Sequence, residues 1–222
     1  MNNATLHSNV GFVLFGLTGG LASGKSSVAA RWKARGLAII DADVMAREIV
    51  EPGTSGLAEI VTAFGPDVLL PDGSLDRKKV GAIVFADSAA RKKLELITHP
   101  RIAAGMIKRA GELEEAGEPL GCYEAPLLVE RGFADLCRPL VVVAIDERTQ
   151  IARAMTRDRL SEDEVRARLA AQLPLSAKVA VADYVIDNSG DLETLTTKAD
   201  DVLDAICKKA GVDPARYPKR RR

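Results

Sequence analysis

Aromatic side chains are scarce, at 4% of 222 residues with a single Trp. Surfaces that stack single-stranded nucleobases are built from such rings, so that class of binder is not expected. Charge of one sign is missing as well. Lys+Arg and Asp+Glu both total 31, which removes the electrostatic footprint of a nucleic-acid protein. No apolar run approaches the length of a membrane span. The first eleven residues are polar and lack an apolar signal core, so they read as a disordered lead and the expected location is cytoplasmic. Cys122, Cys137 and Cys207 are odd in number and form no Cys-x-x-Cys pair. Buried or free thiols in a reducing compartment are expected, not disulfides or a zinc site. No Asn-Lys-x-Asp guanine reader occurs, which argues against a GTPase.

The composition that remains, 47% hydrophobic and 28% charged, is that of a soluble globular chain long enough for one substantial core with smaller lobes. Its most informative stretch is Gly19-Gly20-Leu21-Ala22-Ser23-Gly24-Lys25-Ser26-Ser27. Gly19 to Ser26 fits the phosphate-cradle pattern of Gly, four residues, Gly, Lys, then Ser or Thr. Glycines let the backbone curl so that several N–H groups face one anion. A helix starting near Lys25 adds its positive end. Lys25 supplies a charge for the β and γ phosphates of ATP, and Ser26 a hydroxyl for Mg²⁺. The apolar run Phe12–Phe15 before the loop reads as a buried strand, and the residues after it as a helix.

Five segments read as strands: Phe12–Thr18, Leu37–Asp43, Gly121–Pro126, Leu140–Asp146 and Tyr184–Asp187. Most are short and continuously apolar, as expected where both faces are covered. Helical patterns separate them, which predicts an α/β fold with a mostly parallel sheet and a site at the strands' carboxyl ends. An insert at 44–119 is too long for one crossover. It reads as a helical lobe with helices at Val44–Val50, Leu57–Phe64, Asp76–Val84, Ser88–Leu96 and Arg101–Ala116. Lobes so placed usually serve a second substrate. A C-terminal helix is expected at Leu192–Ala210, and the basic end Pro218–Arg222 reads as frayed.

After Asp146 comes an Arg-rich helix, in which Arg153 and Arg157 are four apart and share a face. Ser161-Glu162-Asp163-Glu164 has the form of a capping box and opens another helix, which carries Arg166 and Arg168. Arg153 and Arg157 are the candidates for phosphate contact beneath a lid. The alternative is a solvated helix whose arginines pair with Glu147, Asp158 and Glu162. At the end of the second strand, Asp41-Ala42-Asp43 offers a carboxylate beside the loop. Phosphoryl transfer asks mainly for alignment and charge stabilisation, so one well-placed Asp suffices, and Asp43 is the candidate. Strand alternation would send Asp41 and Asp43 to the same side, with Asp41 toward water or Mg²⁺. The competing role for Asp43 is an N-cap of the next helix.

The chain resembles the dephospho-CoA kinase family from about Phe12 to Ala210. The motifs that carry the likeness are the phosphate loop, Ile40-Asp41-Ala42-Asp43 with Ala46-Arg47, Glu51-Pro52-Gly53, His99-Pro100, Pro126-Leu127-Leu128-Val129-Glu130, Arg157-Asp158, Ala171-Gln172, and Ala182-Asp183 through Gly190. The resemblance implies transfer of the γ phosphate of ATP, with Mg²⁺, to the ribose 3′-hydroxyl of dephospho-CoA. It implies small-molecule substrates, with neither nucleic acid nor membrane as partner. It also implies a P-loop nucleotide core at 1–43, 120–146 and 180–222, a CoA-substrate lobe at 44–119 and a lid at 147–179. By position Asp43 becomes the catalytic aspartate, and Thr18, Arg47 and His99 the acceptor contacts. His99-Pro100 reads equally as a helix entry. The family loop usually has glycine where this chain has Ala22. That matters if the position takes positive φ, where a Cβ costs roughly 1 kcal/mol. Glu124 is left open between an Mg²⁺-bound water and an arginine partner. The competing functions are a kinase for another small hydroxyl substrate, such as a nucleoside, and a nucleotide-dependent binding or switch protein.

Overall fold

A computed structural model describes residues 11–219; nearly all of the polar lead and the last three arginines lie outside the described residues. The strands are β1 (Val13–Gly19), β2 (Ala38–Asp41), β3 (Leu120–Glu124), β4 (Leu140–Ala144) and β5 (Tyr184–Asp187). They form one all-parallel sheet in the order β2-β3-β1-β4-β5. With β1 central, the strands that follow it in sequence go to one side and the later ones to the other. The chain therefore changes direction at β1, where open α/β sheets collect ligands beyond their carboxyl ends. The register pairs Leu17 with Glu124 and Gly19 with Val143, so β1, β3 and β4 end side by side.

The fold divides into two units, 1–40 with 113–222, and Asp41–Glu112. The first holds the sheet with α1 (Lys25–Ala34), α6 (Glu147–Asp158), α7 (Glu162–Ala170), α8 (Leu175–Ala180) and α9 (Leu192–Lys209). Phe15, Leu17, Cys122, Val141, Val143 and Ile186 form its core with residues of α1 and α9. Trp32 is fully buried there, edge-on to Phe15, with its indole N–H donating to Ala199 O at 2.8 Å. Arg35 is buried just past α1. It donates to Tyr217 O, to Asp200 at 3.2 Å and to Asp204 at 2.5 Å, tying the chain after α9 to the core. Lys219 pairs with Asp204 at 3.0 Å and Asp201 at 3.3 Å. The described start of the basic end is thus docked on α9, not frayed.

The second unit contains α2 (Ala42–Glu48), α3 (Ser55–Phe64), α4 (Arg77–Ala86) and most of α5 (Ser88–Glu115), around Val50, Ile60, Val68 and Val80. Two expectations are corrected here. Sequence reading placed separate helices on either side of His99-Pro100; α5 runs straight through both. A proline removes one ladder N–H and crowds the preceding turn. The second correction is at the β2 end. The strand stops at Asp41, so Asp43 is helical and strand alternation does not apply to it. The N-cap of α2 is Asp41, whose carboxylate accepts from Asp43 N at 2.7 Å and Val44 N at 3.2 Å.

Two outcomes follow from this packing. Arg35→Ala removes the buried donors to Tyr217 O, while Arg31 still pairs Asp200 and Lys219 still pairs Asp204, and should cost about 1–3 kcal/mol of stability, read from urea unfolding midpoints. All three cysteines are buried. Burial pushes the Cys137 and Cys207 thiols up to about 11, and that of Cys122 well above its usual value. The native protein at pH 8 should therefore leave a disulfide-exchange reagent unreacted, and the urea-unfolded chain should titrate all three.

Candidate active site

The loop between β1 and α1 is curled by two residues of positive φ, Ala22 at 54° and Gly24 at 93°. Ser23 N–H donates to Gly20 O at 3.1 Å, closing the turn. Gly24 is the N-cap of α1, and no side chain caps it. The first N–H groups of the helix therefore open into the loop, as an anion-binding terminus requires. Successive backbone turns of opposite hand make the concave N–H surface that holds phosphates.

Several glycines are fixed by what lies against them. A Cβ on Gly20 would collide with Gln150 Nε2, and one on Gly24 with Asn188 Nδ2. A Cβ on Gly19 would lie 2.8 Å from Val143 O. Asn188, buried just past β5, donates Nδ2 to Ser23 O at 2.8 Å and so pins the middle of the loop. On the other side, Leu21 and Ala22 pack against Ile151, Ala154 and Val165 of α6 and α7. Ala22 does take positive φ, so its Cβ costs roughly 1 kcal/mol or more. Its half-buried methyl returns part of the roughly 0.8 kcal/mol of a buried one, which offsets some of that cost.

Lys25 and Ser26 open α1. The Lys25 ammonium pairs with the Glu124 carboxylate at the end of β3, and both side chains are largely buried. The side chain paired with Glu124 is thus a lysine, not an arginine. Ser26 and Ser27 are exposed, and the Ser26 hydroxyl has no hydrogen-bond partner among the described residues. Ser26 and Glu124 are oxygen donors of the kind a hard cation takes, so the residues present fit Mg²⁺.

Thr18 is fully buried, and its hydroxyl donates to Pro126 O at 3.2 Å. Buried Lys178 donates to the same carbonyl at 2.9 Å and pairs with Glu130 at 2.7 Å. Glu130 in turn accepts from Leu173 N at 3.0 Å. Thr18 therefore fixes the segment after β3, and its hydroxyl is engaged there rather than offered to an acceptor.

In the Arg-rich segment the capping box at Ser161–Glu164 is formed. Arg153 is half-buried on α6 without a partner among the described residues. Arg157 grips Asp158 through two bonds of 2.8 and 2.9 Å, and Arg166 pairs with Glu162 and Glu147. In the second unit Asp43 is exposed in the first turn of α2, and Arg47 is exposed one turn on. Because Asp41 caps the helix, the Asp43 carboxylate has no partner among the described residues. His99 is half-buried in mid-α5. Sequence reading did not single out Gln150 or Lys178, and met Asn188 only inside the motif that ends at Gly190, with no role given to it. Only the folded distances bring Asn188 and Gln150 to the loop.

The family model described as dephospho-CoA kinase matches residues 13–194. The dephospho-CoA kinase of Anaeromyxobacter dehalogenans is 50% identical over 86% of this chain and 90% of its own. That of Geobacter sulfurreducens is 49% identical over 85% and 96%. Among solved structures, one from Thermus thermophilus superposes with a TM-score of 0.77 at 32% identity, covering 90% of this chain and 98% of that one. The dephospho-CoA kinase from Campylobacter jejuni gives 0.68 at 29% identity over 88% and 97%. A parallel P-loop sheet, a formed phosphate cradle and likeness across nearly the whole of these relatives agree: the chain belongs to the dephospho-CoA kinase family.

Proposed function

We infer that this protein phosphorylates the ribose 3′-hydroxyl of dephospho-CoA with ATP, giving coenzyme A and ADP. The observation that carries the reading is the formed loop with Lys25 at its mouth, within a chain of this family. The backbone from Gly20 to Ser27 holds the ATP phosphates. Lys25 meets them as a point charge. Glu124 keeps that lysine extended and placed, and the phosphates compete with the carboxylate for it. Ser26, with the Glu124 carboxylate nearby, would hold Mg²⁺, which would supply charge neutralisation for the phosphates.

Asp43 receives the proton of the 3′-hydroxyl as its oxygen attacks the γ phosphorus; the bond to the β–γ bridging oxygen breaks, and ADP leaves. The support for Asp43 over Asp41 is local. The Asp41 carboxylate is occupied by two backbone N–H groups, whereas that of Asp43 has no partner among the described residues. Arg47, one turn along, serves the acceptor's phosphates, and His99 lines the same substrate lobe. Arg153 and Arg157 supply charge from the segment 147–179, acting as the lid. Arg157 can do so only by exchanging Asp158 for phosphate. That exposed pair holds it by no more than about 1 kcal/mol, so the exchange is cheap.

A coupled ADP assay with dephospho-CoA tests the reading. Turnover with a nucleoside and none with dephospho-CoA would overturn it. Asp43→Asn should lower kcat by roughly 10²- to 10⁴-fold with ATP affinity retained, whereas Asp41→Ala should act mainly on stability. Lys25→Ala should lower kcat by about 10²- to 10³-fold. Unchanged turnover in either Asp43→Asn or Lys25→Ala would remove that residue from the mechanism.

A further inference from the structure

Gln150 is 4% exposed, on the first turn and a half of α6. Its Nε2 is buried and has no hydrogen-bond partner among the described residues. That nitrogen lies against Gly20, so close that the loop tolerates no Cβ there. The next residues along the helix, Ile151 and Ala154, pack on Leu21 and Ala22, so the amide is not on a mobile arm. A buried donor without an acceptor is destabilising, and native proteins keep few of them. Asn188, the other amide against this loop, is satisfied by Ser23 O. Of the two amides, Gln150 is the one without a partner among the described residues, and the buried Ser23 hydroxyl of the loop is unpartnered as well.

We propose that Gln150 is a nucleotide-binding residue whose Nε2 donates to the terminal phosphoryl group of ATP. This deepens the kinase reading and rests on it. The loop assigns the two ends of the polyphosphate. Helix α1 and its opening N–H groups at Lys25 and Ser26 take the inner phosphates. Gly20 lies at the opposite end of the loop, next to β1, which leaves that end to the outermost group if α1 holds the inner ones. A donor standing over Gly20 therefore meets the γ phosphate and has little to offer ADP. A neutral amide suits this position because it adds a directed hydrogen bond to a charged oxygen without adding another cation beside Lys25.

Calorimetric titration with Mg·AMP-PNP and Mg·ADP separates the alternatives, using wild-type protein, Gln150→Leu and Gln150→Glu. Leucine keeps most of the bulk and removes the donor. Glutamate keeps the shape and turns a carboxylate on the phosphate. The leucine variant should bind Mg·AMP-PNP roughly tenfold or more weakly, as expected for a lost hydrogen bond to a charged group, and Mg·ADP within about twofold of wild type. The glutamate variant should lose more on Mg·AMP-PNP. In the absence of nucleotide the leucine variant should melt no lower than wild type, because the group removed had no partner to lose. Equal weakening of both nucleotides, or unchanged Mg·AMP-PNP binding, would overturn the proposal. A leucine variant that melts well below wild type would also overturn it, by assigning the amide to packing. Wild-type protein that binds neither nucleotide would overturn the kinase reading itself, and with it the role given to Gln150.

Discussion

A backbone loop that must expose its N–H groups to an anion cannot also satisfy them internally, and that conflict governs the first unit. An unpaired N–H is tolerated only where water or a ligand reaches it. The loop therefore sits at the mouth of the sheet and depends on neighbours for its shape. Asn188 holds it through Ser23 O, and the apolar contacts of Leu21 and Ala22 hold its outer edge. Glu124 fixes the lysine that follows. These restraints come from the residues after β5, from α6 and α7, and from the end of β3. The parallel sheet matters to function because it brings those three chain segments to the end of β1. The glycines are the other half of the same arrangement: where an amide side chain braces the loop at van der Waals distance, no Cβ can stand.

Much of this was legible beforehand. The five strands are continuous apolar runs, and each exists within a residue or two of its expected start. The capping box at Ser161 formed because both of its members are local and reciprocal. Local chemistry misled at Asp41-Ala42-Asp43, where two carboxylates compete for one cap. The strand ends at Asp41, which leaves it the one residue with extended backbone and a carboxylate facing the helix N–H groups. It misled again at Pro100, because proline's penalty is finite and a long helix outweighs it through packing on both sides of the proline, at Ala90 and Met106. What Glu124, Gln150, Asn188 and Lys178 touch was illegible for a different reason. Their partners lie from tens of residues to more than a hundred away in the chain, and no spacing rule reports such distances.

The same contacts argue for where the first unit can move. The segment from α6 to α8 is moored at both ends. At its start, Ile151 and Ala154 are packed on the phosphate loop. At its finish, Lys178 is wholly buried between Pro126 O and Glu130, and Leu173 N is held by the same carboxylate. Breaking either mooring strands buried polar or apolar groups, at a cost of several kcal/mol. Between them, the polar face of α6 and α7 is held by Arg157–Asp158, Arg166–Glu162 and Arg166–Glu147, all exposed pairs. Such pairs contribute about 0–1 kcal/mol each and rearrange readily. The arginines proposed to meet phosphate thus belong to the part of the segment that costs least to reorganise, while the residues that shape the loop belong to the parts that cost most. A segment built this way can exchange its exposed carboxylate partners without loosening the loop that its first helix packs on.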